Sequence, residues 1–168
     1  MFIYFFNRDS ETREKLINEI SKKELGISTL DKYLPTGLSS SFSHSGNISS
    51  LAYFNKNKYT NVRSIGIDLE RRDRPENLPS RHILNKSDET ENLTLVEILS
   101  IKESVFKAVS KFIKNDYHYK DLYVKLIQNS VIFTGGFLQV ENPLRVIGFY
   151  VSTDLYIFSV SFVIGRSI

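Results

Sequence analysis

Two short stretches hold the side chains best suited to chemistry. Gly66-Ile67-Asp68-Leu69-Glu70 sets two carboxylates two residues apart in a β-like run. Lys102-Glu103-Ser104-Val105-Phe106-Lys107 sets a carboxylate and an ammonium four residues apart in a helical run. Side chains alternate across a strand, so Ile65, Ile67 and Leu69 are expected to enter a core while Gly66, Asp68 and Glu70 face the other way. Two carboxylates on one face repel unless something positive lies between them. Hard oxygen ligands of this kind suit Mg²⁺ or Mn²⁺. Gly66 is expected to leave open space beside Asp68. On the helix Glu103 and Lys107 are neighbours, with Lys111 continuing the stripe and Lys102 and Lys114 flanking it. Brought together, three acids and a lysine would make a site for a divalent cation and a phosphorylated substrate.

Each stretch also has a plainer interpretation. The strand acids fit a half-exposed strand end, solvated or paired with the neighbouring Arg71, Arg72 and Arg74. The helix pair fits an ordinary surface ion pair worth a few tenths of a kcal/mol, about 0.3–0.5. A third stretch, Ser41-Phe42-Ser43-His44-Ser45, is rich in hydroxyls and holds one of the three histidines. No G-x-S-x-G elbow accompanies it, which argues against a serine nucleophile. Its donors suit phosphate, or the run is simply a serine-rich turn. His82 and His118 lie in polar surroundings with no matching partners.

Alternation and helical spacing predict the elements that must carry these residues. A strand is expected over 2–6 and a helix over 10–25, with Leu16, Ile17 and Ile20 on one face and Gly26 as its stop. Residues 28–41 read as a loop, followed by strands at 42–45, 48–54 and 62–70. A connection at 71–79 leads to a short helix near 76–84. The longest helix is expected over 93–114, where Ile98, Ile101, Val105, Ala108, Val109 and Phe112 recur at helical spacing. A meander follows, near 122–127, 131–134, 137–141, 145–151 and 155–164. Within it Gly135-Gly136 is read as a two-residue hairpin turn, and Asn142-Pro143 and Thr153-Asp154 as further turns. In the last strand Tyr156, Phe158, Val160, Phe162 and Ile164 form one face, opposite Ser159 and Ser161. The expected fold class is α+β, with two packed halves of helix on antiparallel sheet. The whole chain, 1–168, forms one domain with halves at 1–70 and 71–168.

Composition bounds the function. The chain has 168 residues, no cysteine and a formal charge of +3. Disulfides and Cys-ligated metals are thereby excluded. The small positive excess suits an acidic partner and falls short of a nucleic-acid signature. No apolar run is long enough to cross a bilayer, and the run Met1–Phe6 is too short for a signal peptide's apolar region. A cytoplasmic protein with no membrane or nucleic-acid partner is expected.

Taken in order, Ser43-His44, Gly66-Ile67-Asp68-Leu69-Glu70 and Leu99-Ser100-Ile101-Lys102-Glu103-Ser104-Val105-Phe106-Lys107 resemble the signature of the 4′-phosphopantetheinyl transferase superfamily, a Ser-His segment, a G-(I/V)-D-x-E strand and a (W/F)-(S/T)-x-K-E-(S/A)-x-x-K helix. The resemblance runs from about residue 35 to 112 and leans to the enterobactin-type branch of the Sfp-like enzymes, with Leu99 in place of the usual aromatic. It implies a pseudo-dimeric fold and transfer of phosphopantetheine from coenzyme A to a serine of an acidic acyl or peptidyl carrier protein. By that resemblance Asp68, Glu70 and Glu103 hold Mg²⁺ (or Mn²⁺), and Glu103 is the base for the carrier serine. Lys107 stabilises or protonates the leaving 3′,5′-ADP. Ser43 and His44 contact the nucleotide phosphates, and Lys102 is a weaker phosphate contact. The N-terminal half is shorter than in Sfp-like relatives, which leaves Lys22, Lys23 and Lys32 as the substitutes for their basic 3′-phosphate grip. Two other classes compete: a catalytically weak module on the same fold that docks a carrier protein, and an unrelated Mg²⁺-dependent phosphohydrolase, for which no second metal cluster is evident.

Overall fold

The computed structural model describes residues 1–26, 37–73, 80–113, 118–128, 130–138 and 144–165. It is α+β: two antiparallel sheets with helices packed on them. Strand β1 (Phe2–Asn7) leads into helix α1 (Ser10–Leu25). The Asp9 side chain accepts from the Thr12 N–H at one end of α1, and Gly26 closes the other with φ 71°. Those are the N-cap and left-handed C-cap that leave fewest orphan backbone groups. Strands β2 (Leu38–Ser45) and β3 (Ile48–Asn55) form a hairpin, and the first sheet has the order β1-β3-β2. Ile20 of α1 packs with Leu38, Leu51 and Tyr53 beneath it.

Strand β4 (Val62–Arg71) precedes the long helix α2 (Leu95–Val109), which Thr94 and Glu97 start with a reciprocal capping box. Strands β5 (Leu122–Leu126), β6 (Ile132–Phe137), β7 (Arg145–Ser152) and β8 (Tyr156–Ile164) complete the second sheet, in the order β4-β8-β7-β6-β5. β4 therefore falls in the first half of the sequence and at the edge of the second sheet. The apolar stripe of α2 (Ile101, Val105, Ala108, Val109) packs on Leu122, Val124, Phe133, Val146 and Val163. On the opposite face Ile65, Ile67 and Val160 meet Ala52 and Phe54 of the first sheet. Both faces of β4 are thus covered, one by α2 and one by the first sheet. Among the described residues no helix is long and apolar enough to cross a membrane.

Several expected boundaries shift. β2 begins at Leu38, inside the stretch read as loop, and α2 ends at Val109 in a 3-10 turn, Ser110–Phe112. The helix expected near 76–84 is a single 3-10 turn at Ser80–His82 within the described residues. The Gly135-Gly136 hairpin is overturned, because both glycines lie inside β6, paired with Val124 and Tyr123. They serve close approach instead: a Cβ on Gly135 would lie 3.0 Å from the Tyr123 carbonyl and 3.2 Å from Val105 Cγ2, and one on Gly136 would lie 3.2 Å from the Tyr123 ring. Asn142 and Pro143, Lys32, Arg74 and Lys114 lie outside the described residues.

Candidate functional site

The site grows from the seam between β2 and β4. As the edge of the second sheet, β4 has a row of N–H groups facing away from β8, which need acceptors. Alternate serines of β2 supply them: Ser41 Oγ accepts from Ile67 N–H at 3.0 Å, Ser43 Oγ from Leu69 N–H at 3.2 Å and Ser45 Oγ from Arg71 N–H at 2.9 Å. The even spacing makes the two strands run parallel, joined through side chains rather than a backbone ladder. This explains the serine run, which is strand and not turn.

On the other side of β4, α2 approaches to backbone contact. A Cβ on Gly66 would lie 2.0 Å from the Ser104 carbonyl oxygen and 2.5 Å from the Ala108 nitrogen. The open space expected beside Asp68 is therefore absent, since the α2 backbone fills it. Small polar residues line the rest of this contact. Ser159 donates to the Ser100 carbonyl at 2.7 Å, and the Ser104 and Ser161 hydroxyls share a hydrogen bond of 2.7 Å.

This close packing brings Lys107 of α2 onto Asp68 of β4, with Nζ 2.8 Å from Oδ1. The same ammonium donates to Ser43 Oγ at 3.2 Å and lies 3.6 Å from Glu103 Oε2. Ser43 in turn donates to Asp68 Oδ1 at 2.9 Å. Asp68 is 2% exposed and Glu70 8%, so the solvated strand end is ruled out. Nor do the two described arginines of that run pair with Asp68: Arg71 binds Asp73, and Arg72 binds Glu97 at 3.0 Å. A buried carboxylate needs such compensation, because desolvation without a partner costs several kcal/mol, on the order of 5.

Asp68, Glu103, Lys107 and Ser43 are thus brought together. Among the described residues no three acids or histidines are gathered closely enough to form a ready cation cage. The donor chemistry nonetheless fits a hard divalent cation. Asp68 Oδ2 is buried and makes no hydrogen bond, which leaves a carboxylate oxygen available inside the site. Glu70 follows on the same face of β4 and lines a neighbouring cleft.

That cleft, about 540 Å³, is lined by Arg8, His44, Ser45, Gly46, Glu70, Arg71 and Asp73. Partial desolvation at the cleft wall lowers the His44 pKa below its ordinary value although the side chain is exposed, and the positive charges of Arg8 and Lys107 push it the same way against the opposing pull of Asp68. Among the described residues no carboxylate pairs with Arg8. The cleft gathers the Arg8 guanidinium and the His44 imidazole beside Glu70 and Asp73, and its cationic donors suit an anion. No local motif marks Arg8. It reaches the cleft because β1 pairs with β3 in the register Asn7↔Ile48, and its N–H bonds the Asn47 carbonyl at 2.9 Å. The lysines of α1 do not share this place: Lys22 and Lys23 sit in its last turn, with the Lys23 ammonium over the Phe2 ring.

Two expected contacts are corrected by their placement. Lys102 is fully buried on another side of α2, where Nζ donates to the Ile83 carbonyl at 2.6 Å, Asp88 Oδ2 at 2.7 Å and the Tyr119 carbonyl at 3.3 Å. All three ammonium protons are used inside the protein, so none is left for a phosphate. The Ser43 hydroxyl is likewise saturated: it donates to Asp68 and accepts from Leu69 N–H and Lys107. It holds Asp68 in place rather than facing a ligand.

No model of a known protein family matches the chain, and no curated protein matches it.

Proposed function

We propose that the chain transfers 4′-phosphopantetheine from coenzyme A to a serine hydroxyl of an acidic acyl or peptidyl carrier protein, on a pseudo-dimeric fold and with Mg²⁺ or Mn²⁺. One observation carries the reading. Asp68 and Glu103, from motifs 35 residues apart, converge on a single ammonium beside a buried and unbonded carboxylate oxygen. That is support for one polar centre assembled from the strand and helix motifs in the order of the resemblance.

In this reading Asp68, Glu70 and Glu103 hold the cation. When bound it neutralises charge on the pyrophosphate and on the oxygen that departs. The carrier serine Oγ attacks the β-phosphorus of coenzyme A, and Glu103 takes the serine proton. The bond from that phosphorus to the bridging oxygen breaks, and 3′,5′-ADP leaves with the bonding pair. Lys107 stabilises that oxygen or gives it a proton. Arg8 and His44 bind the nucleotide phosphates, a part taken here by Arg8 instead of the α1 lysines.

The direct Lys107–Asp68 ion pair favours a second reading, a carrier-binding module of the same fold in which a lysine stands where a cation would. Mass spectrometry of apo carriers incubated with the protein, coenzyme A and Mg²⁺ separates the two. The transferase adds one phosphopantetheine to a carrier. Asp68→Ala and Glu103→Ala abolish the addition, and carrier modification that survives both substitutions refutes the roles given. Carrier binding without any modification, together with no calorimetric heat on adding coenzyme A and Mg²⁺, supports the module.

A further inference from the structure

We propose that Tyr119 is a positioning residue for Glu103. This rests on the transferase reading above. The Tyr119 hydroxyl donates to Glu103 Oε1 at 2.6 Å, the length of a hydrogen bond to a charged acceptor. With Oε1 held, the other oxygen, Oε2, is the one turned toward Lys107, at 3.6 Å. Glu103 is 23% exposed on its side chain, and glutamate has three rotatable bonds. Without the phenol, rotamers that point away from Lys107 compete with the one seen.

Tyr119 is itself held firmly. Its ring stands edge-on to Phe106, one turn along from Lys102 on α2, with centroids 6.3 Å apart at 77°. Its carbonyl accepts from the buried Lys102 ammonium, which is in turn fixed by Asp88 and the Ile83 carbonyl. Lys102 and Glu103, adjacent on α2, thus grip the two ends of one tyrosine. Lys102 reaches the proposed site through Tyr119, not by touching a phosphate. Donors that orient a metal-binding carboxylate act in this way elsewhere, and their loss typically weakens metal binding or activity by about 10–100-fold.

The test is Tyr119→Phe in the full chain, which keeps the ring and removes only the donor. Binding of Mn²⁺ alone is followed by the electron paramagnetic resonance signal of the free ion. Transfer to a carrier gives kcat and the KM for coenzyme A. Mn²⁺ affinity is expected to fall about 10–100-fold, with kcat falling to match. The KM for coenzyme A and the thermal midpoint stay near those of the wild type. Mn²⁺ binding unchanged in Tyr119→Phe but lost in Glu103→Gln overturns the positioning role and leaves the transferase reading standing. A rise in KM with kcat unchanged also overturns it. A wild-type chain that takes up no Mn²⁺ and modifies no carrier sinks the transferase reading, and the positioning role with it.

Discussion

Replacing Gly66 with alanine tests the contact on which the whole site depends. The new methyl would start 2.0 Å from the Ser104 carbonyl oxygen, whereas real Cβ atoms keep at least 3.0 Å from such neighbours. The obstruction is the backbone of α2, so no rotamer change relieves it. Helix and strand must separate by about 1 Å, at a place where Ile101, Val105 and Ala108 are fully buried. Overpacking of this kind typically costs about 1–3 kcal/mol, and a rigid obstacle puts it at the upper end. Loss of glycine's freedom in the unfolded chain offsets about 0.4–1 kcal/mol. A net loss of about 2–2.6 kcal/mol is expected. With a urea slope of about 2 kcal/mol/M, the midpoint should fall by about 1–1.3 M. Gly37→Ala is the control, because its methyl would meet only the flexible end of Leu25, at 3.3 Å, and should not lower the midpoint; the unfolded-chain gain alone would raise it by up to about 0.5 M. If Gly66→Ala unfolds at the wild-type midpoint with the same slope, α2 does not lie against β4 as described. The approach of Lys107 to Asp68 then has no basis.

Lys102→Met should destabilise the fold by about 3–5 kcal/mol in the same urea assay, because it leaves the 4%-exposed Asp88 carboxylate without its charge partner; a loss below about 1 kcal/mol would show that the ammonium is not enclosed there. For His44, partial desolvation and the nearby Arg8 and Lys107 lower the folded-state pKa below the ordinary 6.5, so the unfolded chain holds the proton more readily. Its contribution to stability is therefore present above pH 6.5 and is lost as pH falls toward the lowered value. An anion in the cleft favours the charged ring, so 3′,5′-ADP should bind more tightly as pH falls through that range and take up a proton. Calorimetry in two buffers of different ionisation enthalpy measures that uptake; equal heats in both, or uptake unchanged in His44→Asn, would count against it.

Much of the fold was legible because its signals are local. The two-residue alternation of β8 separates Phe158, Val160 and Phe162 from Ser159 and Ser161, and the structure places the two sets on opposite faces of the sheet. The apolar spacing in 98–109 marks the buried stripe of α2. Errors arose where one residue type serves two purposes. Gly135 and Gly136 carry a turn signal, yet the demand they meet is for space under Val105 and beside Tyr123, which depends on partners distant in sequence. Lys102 and Lys107 are indistinguishable as letters. Five positions along a helix carry them to different sides, one into a pocket of carbonyls and the other onto Asp68. Arg8 and Tyr119 carry no motif at all, and only tertiary pairing brings them near the proposed site.

The serine seam explains why site and fold are hard to separate. A strand edge can be covered by another strand's backbone, but β2 presents hydroxyls to β4 instead. A hydroxyl offers one donor and two acceptor positions. Ser43 spends one acceptor on the Leu69 N–H, as any edge-capping group would, and keeps a donor and an acceptor for Asp68 and Lys107. A backbone carbonyl in its place could accept from β4 and from Lys107, but it could not donate to a carboxylate. The side-chain seam therefore closes an exposed edge and aims a buried acid with the same atom. It also means that the polar centre sits at the join between the two sheets, so the same hydrogen bonds that hold the sheets together hold Asp68 and Lys107.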